Sequence, residues 1–140
     1  GHSAGGHLAA CLLATDWKQI DPDLPADLVP SAYTSSGLFD LRPIAETYLN
    51  KALRLDSAEA RRLSPLFWPP PKGAKLHAAV GALESAEYHR QSREIVARWN
   101  AAGAQTRFEL VPQANHFTIV APLADPRSAM VQDIVRLGCS

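Results

Sequence analysis

From Gly6 to Ala14 the chain is small or apolar on almost every side, which predicts a helix sunk in the interior. Asp16 to Ala26 turns polar around Pro22 and Pro25 and marks a surface connection. Leu28 to Ser36, with Val29, Tyr33 and Thr34, predicts a strand that tolerates Pro30 only near its start. Ser35 to Asp40 leaves that strand as a loop. Asp40 is expected to cap a helix from about Leu41, with Pro43 in its first turn, and Asp56-Ser57-Ala58-Glu59 is a capping box for a short helix towards Leu63. Ser64-Pro65 ends that helix, and Pro69 to Gly73 is an extended spacer within the domain.

Leu76 to Gly81 is a short apolar strand with a loop, Ala82 to Ser85, behind it. Tyr88, Ser92, Ile95 and Trp99 then recur at helical spacing, opposite Glu87, Arg90, Arg93, Glu94 and Arg98, and Gly103 suits the residue past the helix end. Thr106 to Val111 is a further strand with Phe108 and Leu110 on one face, and Pro112 to Asn115 is a loop that delivers His116. Asp125-Pro126 is expected to cap a terminal helix whose buried stripe is Met130, Val131, Ile134 and Leu137. Strands alternating with helices in this order imply an α/β fold, a parallel sheet covered on both faces.

A chain of 140 residues is enough for one domain and too short for two. It opens inside a motif with no strand in front of it, so residues 1–140 are expected to be one partial domain that lacks its N-terminal half. Fourteen basic residues balance fourteen acidic ones, which gives no global field for nucleic acid or an anionic surface and fits a small neutral substrate. No apolar run approaches a membrane span and no signal peptide is visible, from which a cytoplasmic location is expected. Truncation should expose apolar helix surface and a sheet edge, so the isolated chain is expected to associate, and a homodimer is compatible with that. Cys11 and Cys139 form neither a disulfide framework nor a metal cluster, the five histidines lack ligand spacing, and no cofactor or metal is expected.

Chemistry enters with Gly1-His2-Ser3-Ala4-Gly5, a Gly-x-Ser-x-Gly run directly before the apolar helix. This is the pattern of a nucleophile elbow, a strand-to-helix turn that holds a serine in a strained conformation, and bulk at Gly1 or Gly5 is expected to strike neighbouring backbone. The Ala4 amide, at the helix N-terminus, is the expected oxyanion donor. A serine nucleophile needs a histidine base, and that base needs a carboxylate. Glu84 and His116 each follow a strand and give the chain order Ser, acid, His. Asp40, also after a strand, and Glu87, three residues past Glu84, compete with Glu84 for the acid. His2 and His7 flank the serine and are placed to line its pocket.

Gly1 to Ala9, Ser36 to Leu41, Ser64-Pro65, Glu84 to Ser92 with its Arg90-Gln91-Ser92, and Asn115 to Val120 together resemble kynurenine formamidases, of the esterase and lipase branch of the α/β-hydrolases. The resemblance runs over nearly the whole chain. It implies the C-terminal half of an α/β-hydrolase fold: the elbow and its helix, then three strands with covering helices. It also implies Ser3 as nucleophile, Glu84 as acid where many relatives carry aspartate, and His116 as base. The implied substrate is a small formamide or ester, in the first instance N-formylkynurenine, cleaved to kynurenine and formate. Phe39 and Phe117, with Tyr33 and Trp68, are then candidates for an apolar wall around an aryl group. A short-chain carboxylesterase and a non-catalytic remnant acting as an interaction module are the alternatives.

Overall fold

The computed structural model describes residues 1–139. Its centre is a parallel sheet of three strands, β1 (Ser31–Ser35), β2 (Lys75–Gly81) and β3 (Gln105–Val111), in that spatial order. Ser31 lies beside Lys75 and Lys75 beside Gln105, and the register continues to Ser35 with Ala79 and Gly81 with Val111. All three strands therefore end on one side of the sheet. In a parallel sheet that is where a site forms, because every loop leaving a strand emerges there.

The helices are α1 (Ala4–Ala14), α2 (Trp17–Ile20), α3 (Arg42–Ala45), α4 (Asn50–Leu53), α5 (Ser57–Arg62), α6 (Ala86–Ala101) and α7 (Ala129–Gly138). On one face of the sheet, Ala10 and Leu13 of α1 and Ile95 and Trp99 of α6 close a core with Ala32, Phe39, Leu66 and Leu76. On the other face, Met130 of α7 packs with Tyr33, Ala79, Ala114 and Ile119. Each fully buried Leu, Ile or Trp there contributes roughly 1.5–3 kcal/mol through removal of apolar surface from water. The expected two-sided α/β layering is what the chain adopts.

Several local expectations change. The helix expected to be buried all round leaves Leu8 60% and Leu12 46% exposed, because only its sheet-facing side is covered here. The first strand starts at Ser31, past Pro30. The N-cap position of α3 falls on Leu41 rather than Asp40, but the Asp40 carboxylate still accepts from the Arg42 amide at 3.1 Å, along with the Arg42 guanidinium. The terminal helix starts at Ala129, capped by the Ser128 hydroxyl on the Val131 amide, while Asp125 accepts from the Arg127 amide in a turn. A 3-10 segment, Thr118–Ala124, fills the stretch between His116 and that helix. The Asp56 capping box forms as expected, with Asp56 accepting from the Glu59 amide.

At the start of the chain, Gly1 to Ser3 run parallel to β1. The Gly1 nitrogen donates to the Tyr33 carbonyl at 2.8 Å, the Ser35 amide donates to the Gly1 carbonyl at 2.8 Å, and the Ser3 amide donates to the Ser35 carbonyl at 2.9 Å. The elbow is thus seated on the sheet one position outside β1.

Candidate active site

Ser3 stands between this sheet-like segment and α1 with φ +54° and ψ −119°, a left-handed backbone that costs a non-glycine residue of order 1–3 kcal/mol and collects at functional sites. Its neighbours explain how the turn closes. A Cβ on Gly1 would sit 2.2 Å from the Gly5 carbonyl oxygen, and one on Gly6 would sit 2.8 Å from the Gly37 Cα. A Cβ on Gly5 would meet nothing within 4 Å, so the second tight position is Gly6 and not Gly5 as the motif suggests. Ala4 is the first residue of α1, where amides have no preceding helical acceptor.

Two loops bring the remaining groups. The turn after β2 carries Glu84 and the loop after β3 carries His116. His116 Nε2 lies 3.1 Å from Ser3 Oγ, and His116 Nδ1 lies 2.8 Å from Glu84 Oε2. The structure therefore brings Ser3, His116 and Glu84 into one hydrogen-bonded line, with the Glu84 side chain 1% and that of His116 24% exposed. The second carboxylate oxygen, Oε1, accepts from the Ser36 hydroxyl at 2.5 Å and from the Gly81 amide at 2.8 Å. With the carboxylate accepting at Oε2, His116 carries its proton on Nδ1 and leaves Nε2 free to accept from the serine. His2 Nε2 donates to the His116 carbonyl at 2.7 Å, and His7 Nδ1 donates to the Leu38 carbonyl at 2.9 Å. Both flanking histidines hold loops in place.

Asp40 goes elsewhere. Its buried carboxylate takes Arg42 at 2.9 Å on each oxygen and Arg90 at 3.1 Å. Burial pushes its pKa up, but the Arg42 and Arg90 hydrogen bonds outweigh that and hold it below the ordinary aspartate value. Gln91 fastens the same loop: its side-chain oxygen accepts from the Phe39 and Asp40 amides, and its amide nitrogen donates to the Asp40 carbonyl. Ser64 Oγ accepts from the Leu41 amide. The Ser36–Leu41, Ser64 and Arg90-Gln91 stretches are thus parts of one clamp that holds the loop after β1.

Of the four aromatic wall candidates, only Phe117 borders this line. It is 82% exposed and its ring stands edge-on to His116 at 5.7 Å. Phe39 is a correction: it is fully buried in the core, its ring lying over Gly37, where no substrate reaches it. Tyr33 is buried against His77, and Trp68 donates to the Arg62 carbonyl away from the site. An open cleft of about 330 Å³ lies beside His116, between Leu83, Tyr88, Asn115 and Phe117.

Three contributors escaped the sequence. Ser36 was visible only as a loop residue after a strand; its φ of +51° is the structural sign of a special position. Gly81 supplies an amide, which no side chain signals. Tyr88 shares the helical spacing of core residues, yet its ring lies 4.7 Å from that of His116. Burial, and to a lesser degree the charge of Glu84, raise the Tyr88 pKa above the ordinary tyrosine value, so the phenol keeps its proton.

Ser36→Ala is expected to lower kcat by roughly 10- to 150-fold, the equivalent of one hydrogen bond to a charged group. Ser36→Gly removes the same hydroxyl and relieves the positive φ. Equal losses in the two variants, measured at constant fold by circular dichroism, would assign the effect to the lost Glu84 contact; a loss in Ala alone would assign it to backbone strain.

Away from this line, His77, Glu109 and Asp133 present ligand-type atoms within 4.8 Å of one another, a grouping the spacing of the histidines did not suggest. His77 Nε2 lies 2.7 Å from Glu109 Oε2, and Asp133 is bound by Arg107 at 3.2 Å and by Arg136. Burial holds the His77 pKa below the ordinary histidine value, while Asp133 is paired with the two arginines. Cys11 and Cys139 are free thiols, and burial pushes Cys11 up to about 11. Among the described residues, no helix is long and apolar enough to cross a membrane.

The parallel sheet, the helices on both its faces and the elbow-shaped turn define a partial α/β-hydrolase core. No protein-family model matches the chain. The chain is 34% identical over 142 residues to kynurenine formamidase of Danio rerio and 33% identical over 145 residues to that of Salmo salar, with 98% of the chain aligned in each case. The chain spans about half the length of these curated relatives, 47% and 48%. Among solved structures, a candidate thioesterase from Silicibacter sp. TM1040 is similar over 96% of this chain and 48% of its own, with TM-score 0.74 and 31% identity. Pyrococcus horikoshii acylaminoacyl peptidase, at TM-score 0.65 and 17% identity over 98% of this chain and 22% of its own, shares the fold. So does Thermogutta terrifontis esterase 2, at TM-score 0.64 and 17% identity over all of this chain and 54% of its own.

Proposed function

We propose that this chain carries the catalytic triad of a serine hydrolase of the arylformamidase type, with Ser3 as nucleophile, His116 as base and Glu84 as acid. The observation that carries this is the continuous hydrogen-bonded line from Ser3 Oγ through His116 to a buried glutamate. Ser3 Oγ attacks the formyl carbon while His116 Nε2 takes its proton, and the Ala4 amide donates to the developing oxyanion. His116 returns the proton to the departing arylamine. Water, deprotonated by the same nitrogen, then releases formate and restores Ser3. The kynurenine formamidase relatives and the apolar rim of Leu83, Tyr88 and Phe117 support N-formylkynurenine as the substrate. Residues 1–140 are taken as one partial hydrolase domain whose further oxyanion donors come from sequence outside it.

A short-chain ester is the competing substrate, since fold and triad do not choose the acyl group. The complete protein that carries this chain should be assayed on N-formylkynurenine and on a short aryl ester. A kcat/KM for the formamide at or above that for the ester is expected. Turnover of the ester alone would rule the formamidase out and leave an esterase.

A further inference from the structure

The face of the sheet beneath α7 carries polar atoms that the line from Ser3 to Glu84 does not use. His77 of β2 pairs with Arg107 of β3, so Glu109, two residues on, projects from the same face as Arg107, and Asp133 approaches from α7. The side chains of His77 and Asp133 are 5% and 9% exposed. His77 Nε2 and Glu109 Oε2 are buried and stand 2.7 Å apart. Neither has a hydrogen-bond partner among the described residues, because at that distance the oxygen lies off the line of the ring N–H bond. The Tyr33 ring, 4.5 Å from that of His77, limits how far the imidazole can turn.

Buried polar atoms without a partner cost free energy until something takes them up. Burial keeps His77 neutral, and its arginines keep Asp133 ionised. With its proton on Nδ1, His77 offers a lone pair at Nε2, and the two carboxylates offer oxygen lone pairs beside it. We propose that His77 Nε2, Glu109 Oε2 and one Asp133 oxygen bind a divalent first-row metal ion of the zinc type, which ties β2, β3 and α7 together and leaves one position open to the cleft of about 360 Å³ beside them. The three atoms lie within 4.8 Å of one another. Ligands 2.0–2.2 Å from a shared ion stand about 3.4 Å apart in a tetrahedral shell, so the set draws in slightly while Glu109 backs away from His77. Arg107 and Arg136 leave room for this. Each takes one lone pair on a different Asp133 oxygen, and a carboxylate has about four. Both arginine side chains are exposed, so either can swing into solvent at little cost.

The test strips the complete protein with EDTA and titrates it with ZnCl2 by calorimetry, with Tm recorded alongside. Glu109→Gln and Asp133→Asn keep the shape of the side chains and remove the charge. The wild type is expected to take up a zinc ion that both variants bind at least about 100-fold more weakly, beyond the loss typical for a group behind a ligand. Zinc should raise the Tm of the wild type and leave that of the variants where it was. In wild type labelled with 15N-histidine, the Nε2 resonance of His77 should move on addition of zinc, a readout that stands even if a variant fails to fold. His116→Ala should bind zinc as the wild type does. Loss of the ion in His116→Ala with retention in Glu109→Gln would place it at His116 and overturn the proposal. So would a wild type that takes up no zinc, or binding unchanged in both acid variants; either outcome would leave water as the partner of His77 and Glu109.

Discussion

Ser3→Ala is expected to abolish covalent labelling of the chain by a fluorophosphonate probe and to lower kcat of the complete protein by on the order of 10⁴-fold or more. The size of the loss follows from what remains. Without Oγ there is no acyl-enzyme, and water must attack directly with His116 as its base. Any residual rate then comes from binding and from the Ala4 amide. The backbone of the turn is held by hydrogen bonds of Gly1 and Ser3 to β1 that do not involve the Ser3 side chain, so the variant should fold like the wild type. The informative contrast is with Ser36, which lies next to the site and hydrogen-bonds Glu84. Labelling that persists in Ser3→Ala and disappears in Ser36→Ala would move the nucleophile to Ser36 and sink the assignment.

Glu84→Gln should be almost as damaging, with a loss of kcat of about 10³- to 10⁴-fold. The reason is geometric rather than a matter of charge alone. Oε1 receives the Gly81 amide, a donor that cannot turn away, and also the Ser36 hydroxyl. A glutamine must place its oxygen there, which leaves its NH₂ facing His116 Nδ1. The imidazole then accepts at Nδ1 and carries its proton on Nε2. In that tautomer it cannot take the proton of Ser3. Steady-state kcat and the rate of fluorophosphonate labelling should fall together. A Glu84→Gln variant within tenfold of wild type would show that His116 does not depend on this carboxylate.

Most of this arrangement was legible in the residues. Alternating helical and strand periodicities gave the parallel sheet, and a site at the strand ends follows from it. Glu84 and His116 stood out because each is a titratable residue directly behind an apolar strand. What stayed hidden depends on contacts between elements distant in sequence. Phe39 looked like a pocket aromatic because it lies in a loop, but its burial is set by α1, α6 and the Gly37 backbone packing around it. Asp40 looked like a cap or an acid, and only Arg90, fifty residues on, shows that it closes a clamp. Asp125 and Ser128 are both good capping residues three positions apart, and the short 3-10 segment before them decided between them. Tyr88 was read as packing because α6 has one spacing for residues that face the core and for one whose ring lies against His116.

Gly81 joins the two loops more closely than the triad distances suggest. The Leu83 amide donates to the Ala114 carbonyl, the Ala82 amide donates to the Val111 carbonyl, and a Cβ on Gly81 would sit 2.4 Å from the Ala114 oxygen and 3.0 Å from Glu84 Oε1. The acid turn and the base loop are therefore a single cast piece, not two independently adjustable arms. Anyone reshaping this scaffold would have to transplant residues 81–84 and 111–116 together, because lengthening or exchanging either loop alone shifts the partner it is moulded against.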